Sequence, residues 1–346
     1  MENEILDESN FDYFCNKLRK NNKIYYRTHS NNIIRFIKMH KLKDFSKFEP
    51  IELLEDQYFD KCNNGGLIYH KDGVYDNVVT FDKKQFYPSV LGNQLFTFPI
   101  SKGEECNIFK IPKCGFSYGI YNVQVVSNDD RFNKIFSYSK DNHYTHTTLN
   151  FVMNIYNKYH GGNVKLTLLS NKCLKYKDKS KIIESSQVFS KWYHASVDLK
   201  TKYPSNKLIK KMFSTAWGEL QSKNVIVKSE DQIEIENIDY GQSLDVNENR
   251  YYLKKFFMQD IQEFNQLIDL PKPLYKHQLR LKPFLTSFAR KIMMLLALKN
   301  IDNVIRVMTD SITYDADLEI NEYLFIKEKA KSNIRAEIKG NSLIKL

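Results

Sequence analysis

Apolar and polar residues along the chain form two patterns that predict strands ending at a carboxylate. The run Val78–Phe81 is apolar and rich in β-branched residues, which is typical of a buried strand, and it leads directly into Asp82. Pro88 then fits the first turn of a following helix. The segment Val304–Tyr314 has apolar residues on both sides of a three-residue polar tip, which predicts a hairpin with Asp310 at its turn.

The rest of the pattern predicts a mixed α+β fold without repeats or long linkers. Further strands are predicted at Leu67–Tyr69, Phe116–Ser127, Val164–Leu169 and 224–238, with a sharp turn at 63–66 and a hairpin turn at Asp72-Gly73. Helices are predicted over most of residues 1–60, over Thr147–Tyr159, and over 183–200, 204–217, 251–267 and 284–299.

Length and composition are those of a large globular protein. The chain has 346 residues, 42% of them hydrophobic, which allows two or three lobes at ~100–200 residues per domain. No run approaches the ~18 apolar residues of a membrane span, and the acidic start lacks the apolar core of a signal peptide. Five scattered cysteines without a Cys-x-x-Cys pair indicate reduced thiols. These features predict a cytoplasmic protein that is neither secreted nor bound to a membrane.

The formal net charge of +11 is concentrated in two segments. Between Lys17 and Lys43 there are nine Lys or Arg and no acid, with three aromatic residues interleaved. Between Lys272 and Lys299 there are seven basic residues and again no acid. Basic residues neutralise phosphates and aromatic rings stack on bases, so this pattern favours a nucleic-acid partner over a merely solvated positive face.

Two aspartates on neighbouring strand ends would converge on one point. Mg²⁺ is commonly held by one or two carboxylates together with substrate phosphates, and such a site suits in-line phosphoryl transfer. On a helix, Lys210, Ser214 and Trp217 would share one face and could hold triphosphate, sugar and base. Taken singly, each aspartate also fits an ordinary turn, and the helix also fits an amphipathic surface helix whose lysine covers apolar neighbours.

The order of these elements resembles motifs A, B and C of family B DNA polymerases. The sequence reads Asp82-x4-Tyr-Pro-Ser, then Lys210-x3-Ser-Thr-x-Trp-Gly, then Thr-Asp310-Ser. The spacing, 132 residues from Asp82 to Ser214 and 96 from Ser214 to Asp310, resembles the protein-primed branch. That branch serves bacteriophages, adenoviruses, linear plasmids and virophage- or polinton-like elements. The Gly65-Gly66 turn resembles its Tyr-x-Gly-Gly element, and the resemblance covers roughly residues 60–325.

The resemblance implies a DNA-templated DNA polymerase that adds dNTPs to a primer with two Mg²⁺ ions, or Mn²⁺ as a possible alternative. It implies a palm with a central antiparallel sheet flanked by helices, helical fingers and small α/β insertions. It assigns Asp82 and Asp310 to catalysis and metal binding. The nucleotide-binding residues would be Tyr87, Lys210, Ser214, Trp217 and either Lys200 or Lys202, which the sequence does not distinguish. The DNA-binding residues would be Gly65, Gly66, Thr309, Ser311 and Arg290.

The same resemblance implies a domain order and a set of partners. Residues 1–60 would be a basic helical segment, 61–130 the palm with motif A, 131–220 an insertion and the fingers, 221–275 a second insertion, and 276–346 the palm with motif C. The partners would be template-primer DNA, dNTPs, a terminal protein primer, and a separate exonuclease- or thumb-bearing chain. The exonuclease domain and most of the thumb are expected to be absent from this chain.

Three positions depart from the family pattern, and two other functions stay open. Gln85 stands where motif A usually has Ser, Ser214 where motif B usually has Asn, and Met308 where motif C usually has its first Asp. The first alternative is a catalytically inactive DNA-binding protein with a polymerase fold. The second is a metal-dependent nuclease, which has no use for Lys210 and Trp217 on one helical face.

Overall fold

The computed structural model describes residues 48–62, 64–83, 85–205, 218, 225–228, 243–246, 249–257, 263–269, 275, 279–315 and 334–345. The strands in this part of the chain are β1 Ile68–His70, β2 Gly73–Asp82, β3 Thr97–Pro99, β4 Glu104–Asn107, β5 Gly119–Val126, β6 His143–Thr145, β7 Lys165–Lys175, β8 Ile182–Glu184, β9 Val225–Lys228, β10 Ser243–Val246, β11 Asn249–Phe257, β12 Glu263–Asp269, β13 Val304–Met308, β14 Ser311–Asp315, β15 Ile334–Lys339 and β16 Ser342–Lys345.

The described helices vary widely in length. They are α1 Leu53–Lys61, α2 Phe86–Leu91, α3 Asp130–Ile135, α4 His146–Phe151, α5 Asn157–Tyr159, α6 Ser186–Lys202 and α7 Lys282–Ala297. A π-helical turn, Val152–Tyr156, joins α4 to α5, and 3-10 turns occupy Lys179–Lys181 and Leu298–Asn303. None of the helices in these ranges is long and apolar enough to cross a membrane.

A six-stranded antiparallel sheet in the order β1-β13-β14-β2-β15-β16 organises the molecule. The predicted strand at Val78–Phe81 is part of β2, and the predicted hairpin at Val304–Tyr314 is β13 and β14. Both predictions are confirmed. The buried rings of Phe81 and Tyr314 contact each other edge to face at 6.0 Å, and the Tyr314 hydroxyl donates to the carbonyl of Leu296 in α7 at 3.5 Å. The predicted helix at 284–299 is confirmed as α7.

A second antiparallel sheet has the order β4-β7-β5-β6; α4 packs on its strands β5 and β6, and α3 contacts β1 of the first sheet. A buried ion pair joins α1 to the segment just before α7. Arg280 donates to both carboxylate oxygens of Glu55 at 2.8 and 2.7 Å, and the side chains are 0% and 1% exposed. Tyr176, just after β7, donates its hydroxyl to the same carboxylate at 2.9 Å. Such a pair is strongly destabilising when one partner is removed, so it fixes how these elements meet.

Two secondary-structure predictions are wrong. The sequence predicts a helix over 251–267, but the described residues of this range, 251–257 and 263–267, belong to β11 and β12 of a four-stranded sheet ordered β10-β11-β12-β9. A hairpin was expected at Asp72-Gly73, but β1 pairs with β13, while β2 pairs with β14 and β15. Asp72 instead accepts a hydrogen bond from the backbone N–H of Gly340, so it supports the turn between β15 and β16.

Most of the other predicted strands and helices match elements that the structure describes. Strands at Leu67–Tyr69, Phe116–Ser127 and Val164–Leu169 correspond to β1, β5 and β7, and the helices at Thr147–Tyr159 and 183–200 to α4–α5 and α6. Of the strand predicted at 224–238, residues 225–228 are described. Of the helix predicted at 204–217, only residues 204 and 205 are described, as a turn, and the basic segment Lys17–Lys43 lies outside the described residues.

Candidate active site

The structure places Asp82 and Asp310 at adjoining strand ends. Asp82 is the last residue of β2, and Asp310 lies in the two-residue turn between β13 and β14. Ser311 pairs directly with Asp82 in the sheet register, and the backbone N–H of Lys83 donates to the carbonyl of Asp310 at 2.9 Å. Both aspartates are half-buried. The predicted convergence of the two segments is therefore present in the backbone.

The turn that carries Asp310 has a backbone conformation that few side chains adopt. Thr309 has φ +52°, in the left-handed region, and its N–H donates to the carbonyl of Leu67 at 2.8 Å. The chain of Gly66 passes directly beside it. A Cβ added to Gly66 would lie 2.5 Å from the Thr309 hydroxyl oxygen, so only glycine allows this close approach.

Arg290 supports the Gly65-Gly66 loop from the protein interior. Its guanidinium donates to the carbonyls of Asn64 and Gly65 at 2.8 and 2.6 Å and to the hydroxyl of Ser287 at 3.3 Å. The side chain is 3% exposed, and burial lowers its pKa. The expectation that Arg290 contacts DNA is revised: it lies behind the loop, not on the surface. The predominantly apolar sequence of α7 was the available signal for this burial.

Tyr87 lies close to both Asp310 and Arg290. Burial raises the pKa of its phenol, while the Arg290 charge lowers it and the Asp310 charge raises it. The ring is half-buried and packs against that of Phe86 at 5.5 Å. The residue predicted to contact the sugar of a nucleotide is thus brought to the same place as the motif C carboxylate.

Gln85, one of the departures from the family pattern, connects α2 to α6. It has φ +49°, and its side-chain oxygen accepts a hydrogen bond from the hydroxyl of Ser196 at 3.1 Å. Lys200 follows Ser196 by four residues and therefore lies on the same face of α6. Lys202 lies on another face, is exposed, and has its ammonium 5.7 Å from the ring of Tyr203.

Lys83 is a residue of the site that the sequence did not single out. Its backbone N–H joins the two aspartate segments, as described above, and its ammonium lies 5.3 Å from the centre of the Phe86 ring. Burial lowers the pKa of this lysine. Its direct sequence neighbour Asp82 was the only available indication of its position.

Of the remaining predicted site residues, Ser311 is described and the three residues of motif B are not. Ser311 donates its hydroxyl to the carbonyl of Met308 at 3.3 Å. Lys210, Ser214 and Trp217 fall outside the described residues, and of motif B only Gly218 is described.

The carboxylate oxygens of Asp82 and Asp310 suit a divalent cation that also binds a substrate. Within the described ranges no group of three or more His, Cys, Asp or Glu could hold a metal ion. Two carboxylates alone do not make a full set of protein ligands. Mg²⁺ is nevertheless often bound by one or two carboxylates with substrate phosphates completing its shell, so Asp82 and Asp310 fit a cation that arrives with a nucleotide.

Comparisons with known proteins give matches at the level of structure. No protein-family model matches the chain, and no curated protein matches it. Among solved structures, phi29 DNA polymerase complexed with primer-template DNA and incoming nucleotide substrates aligns with a TM-score of 0.56 at 15% identity, over 88% of this chain and 52% of that one. The same polymerase complexed with single-stranded DNA aligns with a TM-score of 0.54 at 14% identity, over 94% and 58%.

The chain thus spans about half the length of the solved structures that it matches. Identity at this level shows the fold alone. The fold of this chain is an α+β domain with a central antiparallel sheet, similar to that of phi29 DNA polymerase.

Proposed function

We propose that this protein is the catalytic core of a DNA-templated DNA polymerase that extends a primer with dNTPs. One observation supports this most strongly: Asp82, at the end of β2, and Asp310, in the turn between β13 and β14, come from distant parts of the chain and adjoin next to Tyr87. The arrangement occurs in a fold similar to a polymerase whose solved complexes contain primer-template DNA and nucleotides. The resemblance to the protein-primed branch adds a terminal protein as the proposed primer.

Asp82 and Asp310 would hold Mg²⁺, or Mn²⁺ in its place. The bound cation supplies charge neutralisation on the transferring phosphoryl group. The protein's own contribution is position and charge. The hydrogen bond from Lys83 N–H to the Asp310 carbonyl fixes the spacing of the two carboxylate-bearing segments. Tyr87, half-buried beside them, would pack under the deoxyribose and leave no room for a 2′-hydroxyl.

Helix geometry favours Lys200 over Lys202 as the phosphate-binding lysine of α6. Lys200 shares a face with Ser196, whose hydroxyl is bonded to Gln85 at the start of α2. Lys202 lies on a different face, next to Tyr203. Lys210 on the motif B segment would bind the same phosphates, with Ser214 and Trp217 next to sugar and base.

Primer extension with Mg²⁺ tests the proposal. Asp82→Ala and Asp310→Ala are each expected to reduce nucleotide incorporation by ~10³-fold, because loss of metal-assisted charge stabilisation costs several kcal/mol of barrier. Asp315→Ala is the matched control, since Asp315 is exposed at the opposite end of β14. An Asp82 or Asp310 variant that extends the primer at the wild-type rate would exclude the two-carboxylate site.

The departures Gln85 and Met308 support a second candidate, a DNA-binding protein that has lost catalysis. Both positions lie in the described site, and the side chain of Gln85 is occupied by its bonds to Ser196. This candidate predicts DNA binding that weakens steeply with salt, and no incorporation of dNTPs by the wild-type chain. Degradation of labelled DNA without dNTPs would instead indicate a nuclease.

A further inference from the structure

A cavity of about 300 Å³ lies on the side of α7 that faces away from the Gly65-Gly66 loop. Phe284, Phe288 and Lys291 line it from one face of α7, at spacings of four and three residues. Arg290, which supports the loop at the aspartates, lies on the opposite side of the helix from Phe288. The cavity is therefore separate from the site formed by the two aspartates.

Aromatic rings form the inner wall of this cavity. The ring centroids of Tyr118 and His146 are 4.0 Å apart, and those of Tyr118 and Phe284 are 4.8 Å apart. Leu95, 77% exposed, stands among the lining residues and adds apolar surface to the mouth. Walls of this kind bind flat apolar rings by stacking and by removing their surface from water.

The imidazole of His146 adds no charge to this wall at neutral pH. Burial lowers its pKa to about 4, although a backbone hydrogen bond from Gly119 opposes the shift and the charge of Lys291 adds to it. Its Nδ1 accepts the Gly119 N–H at 3.3 Å, so the proton of the neutral ring is on Nε2.

Among the described residues that line the cavity, Lys291 alone is charged. Its side chain is half-buried, and burial lowers its pKa. Within the described ranges no carboxylate lies within 4.0 Å of its ammonium. A cation that has lost part of its hydration without gaining an acidic neighbour is costly, and a bound anion would compensate this cost.

Most of the remaining polar groups of the cavity are already engaged. The Tyr118 hydroxyl donates to the carbonyl of Thr97 at 2.7 Å, and the amide of Asn150 makes two hydrogen bonds to the backbone of Phe116. The amide of Asn154 is exposed at the rim. Asn154 belongs to the π-helical turn Val152–Tyr156, and such turns occur frequently at functional sites. The cavity thus offers flat apolar walls, one amide and one cation.

We propose that this cavity binds one nucleotide, with its base against the rings of Tyr118 and Phe288 and its phosphate on Lys291. A volume of about 300 Å³ is at the lower end of ligand sites and suits a single small ligand. The nucleotide can be free in solution or belong to a single strand of DNA, because both present the same base and phosphate. The inference does not depend on catalysis at Asp82 and Asp310, neither of which lines the cavity.

Calorimetric titration of the full chain with dAMP in EDTA tests the proposal without the metal-dependent site. Deoxyadenosine, inorganic phosphate and a short oligo(dA) are titrated in parallel. Lys291→Gln removes the cation, and Phe288→Leu removes ring surface. Lys299→Gln is the matched control, because Lys299 is exposed just beyond the end of α7. Thermal unfolding of each variant verifies that the fold is retained.

Saturable binding of dAMP at one site, weakened about tenfold or more by Lys291→Gln and unchanged by Lys299→Gln, would support the proposal. Phe288→Leu is expected to weaken dAMP binding without affecting inorganic phosphate. Binding of oligo(dA) but not dAMP, with the same response to Lys291→Gln, identifies the DNA strand as the source. The proposal is overturned if neither ligand binds, if Lys291→Gln binds as wild type does, or if phosphate or deoxyadenosine alone binds as tightly as dAMP.

Discussion

The two adjacent glycines of the 65–66 loop provide a sharp test of how the candidate site is built. A methyl group added at Gly66 would meet Oγ1, Cγ2 and Cβ of Thr309 at 2.5, 2.7 and 2.9 Å. Ordinary contact begins near 3.4 Å, so Thr309 must retreat by roughly 1 Å. Because one of the three atoms is Cβ, a change of rotamer cannot relieve the clash and the backbone of the turn must move. Gly65→Ala, by contrast, would place its methyl group in open space.

Gly66→Ala is therefore expected to cost ~1–3 kcal/mol of unfolding free energy, as overpacking usually does. It is also expected to lower the rate of primer extension by ~10²-fold, because a displacement of about 1 Å in a positioned group commonly has that effect. Gly65→Ala should change the unfolding free energy by less than ~0.5 kcal/mol and the extension rate by less than about twofold. Chemical denaturation and single-turnover extension measure the two quantities.

Comparing Gly65→Ala with Gly66→Ala also distinguishes two possible roles of the loop. If the glycines matter because DNA passes over both of them, both variants lose DNA affinity together. If Gly66 matters because Thr309 needs the space, only Gly66→Ala loses the rate. Equal losses in the two variants, or a normal rate in Gly66→Ala, would refute the steric reasoning.

Four further predictions follow from described contacts. Arg280→Met leaves the buried carboxylate of Glu55 without its partner and is expected to lower the unfolding free energy, measured with denaturant, by ~3–5 kcal/mol. A smaller loss would show that water reaches the pair. Arg290→Lys cannot bond both loop carbonyls, so it should slow extension without changing the salt dependence of DNA binding, which a surface DNA contact would change. Lys200→Ala should raise the KM for dNTP more than Lys202→Ala does, and the reverse order would reassign the phosphate contact. His146 is buried neutral with its pKa lowered to about 4, so unfolding free energy should fall as the pH drops from its ordinary value of 6.5 towards 4, and His146→Gln should flatten that part of the profile.

The parts of the site that sequence could predict are those set by local patterns. An apolar β-branched run before Asp82 and a polar tip around Asp310 specify strand ends whatever their partners are. Neighbouring strand ends would bring the two aspartates together, and the register of Ser311 with Asp82 shows that these strands adjoin.

Features that depend on distant partners could not be predicted in this way. The Asp72-Gly73 pair has the composition of a hairpin turn, but the strands around it pair with β13, β14 and β15 from the other end of the chain. At 251–267 the apolar residues occur in adjacent groups, which fit a helical face as well as a strand, and pairing with β9 and β10 decides between them. The resemblance assigned Arg290 to DNA contact, and the backbone carbonyls that this residue binds instead cannot be read from a sequence.

The position of β2 in the six-stranded sheet has a consequence for how the protein acquires its site. The neighbours of β2 on both sides, β14 and β15, come from the last part of the chain. The early strand therefore has no sheet partner until residues 304–345 have been synthesised and have closed a very large loop, which makes folding slow and strongly dependent on chain topology. A fragment without those residues would retain Asp82 but lack both strands that pair with β2. Complementation by two separate fragments should therefore require β14 and β15 to be on the same fragment.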